Sequence, residues 1–148
     1  MQIRIRNTAP AAAPIDRGLS ITRNTLPLIA RVLLSALFLW SGVNKILHPI
    51  ETQQYMAANG MIWTGFFWLC AIAIELLGGL SVLLGVWPRL GAGVLAGFTA
   101  IATLIFHRNF ADPVQAIMLM KNLSILGGLL MLVQFGGGNL RLRWPRRR

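Results

Sequence analysis

FFWLCAIAIELLGGLSVLLGV, residues 66–86, is an apolar run with one acid, Glu75, near its middle, and it sets the architecture of the chain. At ~1.5 Å of rise per residue, a ~30 Å hydrocarbon core needs roughly 20 residues, and this stretch supplies them. Glu75 then lies ~13 Å deep in the helix. An ionisable side chain at that depth is costly unless it faces other helices, and it marks a functional or pairing site. Ala71, Gly78, Gly79 and Val82 share its helical face. Small residues there let a second helix approach closely, so the acid is expected to point into a bundle.

Three further spans flank this one. Residues 26–47 form the first, with Pro27 in its opening turn, where the missing N–H costs nothing. Its residues Arg31, Ser35, Phe38, Gly42 and Lys45 fall on one face, with Ser41 and Asn44 beside it. Arg31 and Lys45 stand near its two ends, where long side chains can snorkel to the interface. Residues 90–106 form the third span and carry Gly93 and Gly97 as a GxxxG packing motif. Ala96, Ala100, Thr103 and His107 lie along another of its faces. Asp112-Pro113 is a helix start signal for the fourth span, residues 114–135, which carries Lys121, Asn122, Ser124, Gly127 and Gly128. Between the first two spans, residues 49–58 read as a short interfacial helix with Tyr55 and Met56 on its membrane side. Asn59-Gly60 reads as its stop, and Trp63 and Trp68 as an aromatic belt.

The expected fold is therefore all-α, an integral membrane four-helix bundle occupying residues 25–136. Residues 1–24 and 137–148 are expected to be basic cytoplasmic tails, the first disordered, with Trp144 anchoring the second at the interface. The first tail has no apolar segment to serve as a secretory signal. Its two prolines interrupt the amphipathic helix a transit peptide needs. Of the 14 basic residues, nine lie in these tails, so the formal charge of +10 reports topology and contact with anionic lipid headgroups, not nucleic acid. Placing both termini inside leaves only Lys45, Arg108 and Lys121 on the outer side, as the positive-inside rule requires.

This topology collects the polar span residues in the outer half. Ser41, Asn44, Lys45, Glu75, His107, Lys121 and Asn122 form the candidate polar pocket. Gly42, Gly78, Gly79, Gly93, Gly97, Gly127 and Gly128 are the candidate helix-packing positions. Glu75 and Lys121 match in depth to ~3 Å, and they are expected to couple, directly or through Asn44 or Asn122. The single cysteine, Cys70, and two histidines build no typical metal site, so no metal is expected.

The stretches RVLLSALFLWSGVNKI, Glu75 with LLGGLSVLLGVWPRLGA, His107 and KNLSILGGLL occur in an order and spacing that resemble the DoxX family of small four-helix bacterial membrane proteins. The resemblance covers about residues 28–135. Arg31, Ser41, Gly42 and Lys45 match its first-helix motif, Glu75, Gly78, Gly79, Gly85 and Arg89 its second, and Lys121, Asn122, Gly127 and Gly128 its last. It implies a protein of the bacterial inner membrane, a subunit or accessory of a quinone-linked redox system. Any protein partner would then be part of a membrane redox complex. No redox-cofactor motif is encoded, so oxidoreductase activity is implied only by the resemblance. A quinone headgroup is the expected ligand, with Lys121 and His107 as donors and Glu75 as a relay. A b-type haem between His48 and His107 is disfavoured, because both sit at helix ends. The competing expectations are a non-enzymatic scaffold with a structural buried ion pair and, last, a small solute or lipid transporter, which would show broken helices or repeats.

Overall fold

The computed structural model describes residues 14–107 and 110–138, with side chains described from Thr25 onward. Among these residues the protein is entirely helical: α1 Pro14–Leu47, α2 Pro49–Ala58, α3 Thr64–Leu84, α4 Pro88–Phe106 and α5 Pro113–Phe135. Four stretches are long and apolar enough to cross a membrane: Thr25–Leu47 within α1, and the whole of α3, α4 and α5. The protein is an integral membrane helical bundle.

Local chemistry sets each boundary. Pro49, Pro88 and Pro113 stand in the first turns of α2, α4 and α5, where a missing N–H leaves no bond unmade. Asp112 caps α5, its Oδ1 accepting from the Val114 N–H at 2.9 Å. Asn59-Gly60 stops α2 as expected. Gly60 takes φ +82°, its N–H bonds Ala57 O at 2.9 Å, and the Met61 N–H bonds Met56 O at 3.1 Å. Those paired bonds are a Schellman closure. Gly85, at φ +71°, ends α3 two residues earlier than the hydropathy suggests. Ser81 Oγ then donates to Val86 O at 2.6 Å and ties down the turn into α4.

Two differences from expectation concern the ends of the bundle. α1 continues N-terminally to Pro14, so Pro27 stands inside the helix instead of opening it. Residues 14–24, expected to be disordered, are helical, while the rest of that tail lies outside the described residues. At the other terminus, Gly137 is buried and belongs to the bundle. The basic C-terminal arginines and Trp144 lie outside the described residues.

Helix α1 packs on α3, α3 on α4 and α4 on α5; α5 meets α1 over a smaller area, with Leu34 against Gly128. Among the described residues α3 and α5 do not pack on each other. The core is Phe38, Val82, Ala92, Leu95, Ala96, Leu129 and Leu132. Leu33, Leu77 and Leu104 point outward and stay exposed, as side chains facing lipid must. Trp63 and Trp87 hold positive φ of 59° and 49° at opposite ends of α3, their rings exposed as interfacial anchors. Arg31 on α1 reaches Gly137 beyond the end of α5, so both ends of the bundle domain lie on one face.

Candidate functional site

One face of α1 carries the main polar contacts. Arg31, Ser35, Phe38 and Gly42 are buried along it and Lys45 is half-buried, the face expected from spacing. The facing surface of α3 buries Ala71, Glu75, Gly78, Gly79 and Val82, again as read from sequence. Where the two faces meet, Lys45 Nζ lies 2.9 Å from both carboxylate oxygens of Glu75. Ser41 Oγ donates to Glu75 Oε1 at 3.0 Å and accepts from Lys45 Nζ at 2.7 Å. The two carboxylate oxygens sit too close together to take separate ammonium protons, so Lys45 gives one shared proton to the carboxylate and one to Ser41 Oγ, and the Ser41 hydroxyl is used as well. The Glu75 side chain keeps 5% exposure and the Lys45 side chain 19%. Access is thus only from the lysine side.

Trp68 belongs to the same site. Its indole Nε1 donates to Lys45 O at 2.9 Å, one of the carbonyls that the end of α1 leaves without an intrahelical partner. It is half-buried. The signal that could have found it is its seven-residue spacing from Glu75, which puts both on one helical side.

Depth along the helices points to Lys121 as the partner of Glu75, and the structure corrects this. Lys121 is exposed on α5, a helix that does not pack on α3. Matching depth is not proximity, because depth is read along the helices and helix order around the bundle is not. Asn44 is also exposed, outside the triad.

The remaining polar residues assemble elsewhere, on the seam between α4 and α5. His107 Nδ1 is 2.7 Å from Gln115 Oε1, and Asn122 Nδ2 donates to Thr103 Oγ1 at 3.0 Å. Thr103 in turn donates to Thr99 O at 2.6 Å, and Thr99 to Leu95 O at 2.8 Å. The single pocket expected from sequence is therefore two clusters: a Ser41–Lys45–Glu75 triad on α1 and α3, and a hydrogen-bonded seam on α4 and α5. Over the same end of the bundle lies α2, with Met56 buried and Tyr55 stacked on Phe106 at 5.3 Å between ring centroids.

At the opposite end Arg31 does not snorkel. It is 1% exposed. Its Nε donates to Val82 O at 2.7 Å, Nη1 to Gly137 O at 3.0 Å, and Nη2 to Leu83 O. Val82 and Leu83 lie in the last turn of α3, whose carbonyls lack the usual donor four residues on. Buried groups of this kind must be satisfied by protein, and a rigid guanidinium fork reaches several at once.

The packing glycines also divide. A Cβ on Gly42 would meet Leu76 Cδ2 at 2.8 Å, on Gly78 Leu95 Cγ at 2.8 Å, on Gly79 Leu39 Cδ2 at 3.0 Å, and on Gly128 Leu34 Cδ1 at 3.3 Å. Gly97 and Gly127 have nothing within 4 Å and Gly93 only Val133 at 3.8 Å. Among the described residues the GxxxG motif therefore makes no close helix–helix approach. Gly91, which spacing alone does not single out, sits where a Cβ would fall 2.5 Å from Ser81 Oγ and 3.1 Å from Gly78 O.

Residues 26–108 match the DoxX family. The chain belongs to the DoxX family. It is 44% identical over 111 residues to inner membrane protein YqjF of Escherichia coli K12, covering 75% of this chain and 84% of that one. It is 29% identical over 126 residues to inner membrane protein YphA of the same organism, covering 81% and 89%. No solved structure matches this chain. The DoxX match includes the whole triad, Arg31, Trp68 and His107, and ends before α5, which carries Gln115, Lys121 and Asn122.

Proposed function

We propose that this DoxX protein is a non-catalytic subunit of a membrane redox assembly in the bacterial cytoplasmic membrane, with both termini inside. The observation that carries this reading is the closed Ser41–Lys45–Glu75 triad. Lys45 and Ser41 are both hydrogen-bonded to the buried Glu75 carboxylate, so the triad joins α1 to α3 and spends its charge inside the protein. A buried pair of this kind fixes which helix faces which. The membrane part of the proposal draws on the family and on the inner-membrane relatives, and the redox part on the resemblance read from the sequence alone. Native electrophoresis of membranes solubilised in mild detergent tests it. The chain is expected to migrate in a complex well above its own 16.3 kDa, and its deletion is expected to deplete an oxidoreductase subunit from the membrane. A chain that runs alone, and whose loss changes no other membrane protein, overturns the proposal.

A second reading keeps the quinone but moves it. The triad fits a quinone carbonyl poorly, because Ser41 and Lys45 already bind the Glu75 carboxylate and only the edge of Lys45 is exposed. The α4–α5 seam fits better: among the described residues His107 Nε2 carries no bond, and Asn122 is half-buried with one amide proton to spare. There the side chains would bind and orient a carbonyl-bearing headgroup, and the quinone would supply the electron-accepting chemistry. Quinone co-purifying with the wild-type protein, and lost from His107→Ala and Asn122→Ala but not Ser124→Ala, is the expected result. Equal quinone in all of them removes this reading.

A further inference from the structure

We infer that the outward face of α5 docks a transmembrane helix of a different protein, one that carries an acidic side chain at the depth of Lys121. This deepens the assembly reading above and takes its partner class from charge. Of the four spans α5 is the least covered: 11% of its most apolar window lies inside the protein, against 22–33% for the other three. Its exposed side nevertheless is not purely apolar. Lys121, Ser124, Gly127 and Gln134 are all exposed, with Met120 and Met131 among them, and helical spacing sets them along one side of α5. Lys121 makes no hydrogen bond or ion pair among the described residues. It stands eight residues past Pro113, ~12 Å along the helix.

A lysine at that depth needs either the headgroup region or an opposite charge. Its side chain leans toward the N-terminus of α5, which shortens the reach to the nearer surface and makes an anionic lipid phosphate the rival occupant. The rest of the stripe decides against lipid. Ser124 and Gly127 continue it toward the middle of the span, away from that headgroup region, and acyl chains offer no partner to a polar stripe. Gly127, with nothing within 4 Å of a Cβ, leaves room for another backbone to come close. The two methionines adapt to an irregular partner surface.

A second copy of this chain is the wrong occupant on charge. A symmetric α5–α5 contact would bring two Lys121 side chains together. Nor does the chain have a spare acid at that depth: Glu75 is bound by Lys45, Asp112 caps α5, and Glu51 lies outside the spans beside His48. Asp16 belongs to the N-terminal stretch of α1, ahead of Arg31 and so at the end of the bundle away from Lys121.

The test uses the full chain in phosphatidylcholine vesicles with a synthetic leucine–alanine transmembrane helix. One version of the helix carries a single Glu at the depth of Lys121 and the other a Gln, and energy transfer reads association. The Glu helix is expected to bind about tenfold more tightly than the Gln helix, the scale of one intramembrane polar contact. That preference should vanish in Lys121→Met and persist in Lys121→Arg. Equal binding of the two helices overturns the proposal, as does a preference that survives Lys121→Met. Loss of the preference on adding phosphatidylglycerol makes the lysine a lipid contact, and disulfide formation between copies of Ser124→Cys makes the face a self-association surface; either result overturns it. A chain that migrates in a large assembly yet shows no Glu preference loses only the α5 surface. A Glu preference in a chain that runs alone in native membranes supports the surface and removes the assembly reading.

Discussion

Two basic residues on one face of α1 hold the bundle at its two ends. Lys45 binds Glu75 through both oxygens, and Arg31 binds the last carbonyls of α3 together with Gly137 O. Removing one partner of a buried pair costs roughly 3–5 kcal/mol, because the other is left uncompensated. Lys45→Met and Glu75→Gln are each expected to lose stability on that scale, and the double variant to recover part of the loss. Unfolding of the four proteins in detergent measures the coupling, and strictly additive losses would show that the two groups act separately. Lys121→Met serves as the control and should change stability by about 0.5 kcal/mol or less. Arg31→Met takes the guanidinium away from three carbonyls, at about 1–3 kcal/mol for each one left without a donor. Arg31→Lys should restore only part of that, since an ammonium lacks the fork that reaches them together. The same unfolding measurement ranks the two, and a lysine variant as stable as wild type would remove the role of the fork.

Between elements, the close approach of α3 and α4 depends on Gly91 and Gly78. A Cβ at Gly91 meets Ser81 Oγ and the Gly78 carbonyl, and the backbone cannot swing aside as a side chain can. Gly91→Ala is expected to cost about 1–3 kcal/mol by overpacking. Gly97→Ala meets nothing and should stabilise by up to ~1 kcal/mol through helix propensity. Thermal unfolding of the two variants side by side checks the contrast, and a Gly91→Ala protein as stable as wild type would refute the tight contact. Sequence spacing identifies Gly78 and Gly79 on the face of Glu75, but it cannot separate them from Gly93 and Gly97. A small residue is equally small on either side of a helix, and only the neighbour decides whether its size is used.

Over the molecule as a whole, the buried Arg31–Gly137 bond puts both ends of the domain on one face, and the basic residues favour that face as the cytoplasmic one. In a Cys70→Ser background, an Ala58→Cys variant should react with a membrane-impermeant maleimide on intact cells. Arg147→Cys should react only after permeabilisation. The reverse pattern would invert the topology.

Periodicity and length along single helices are enough to read the number of spans, the short helix between the first two, and the buried faces of α1 and α3. The membrane enforces these features by leaving no water for an unpaired backbone group. The same reading marks Glu75 as an acid that must be met. What meets it was settled only in three dimensions. Lys45 and Lys121 offer the same charge and Lys121 the closer match in depth, yet the choice falls to Lys45 because α1 packs against α3 while α5 does not. Helix order around a bundle is written in side-chain fit between segments distant in the chain, so the same physics that makes the spans legible leaves their partners unspecified.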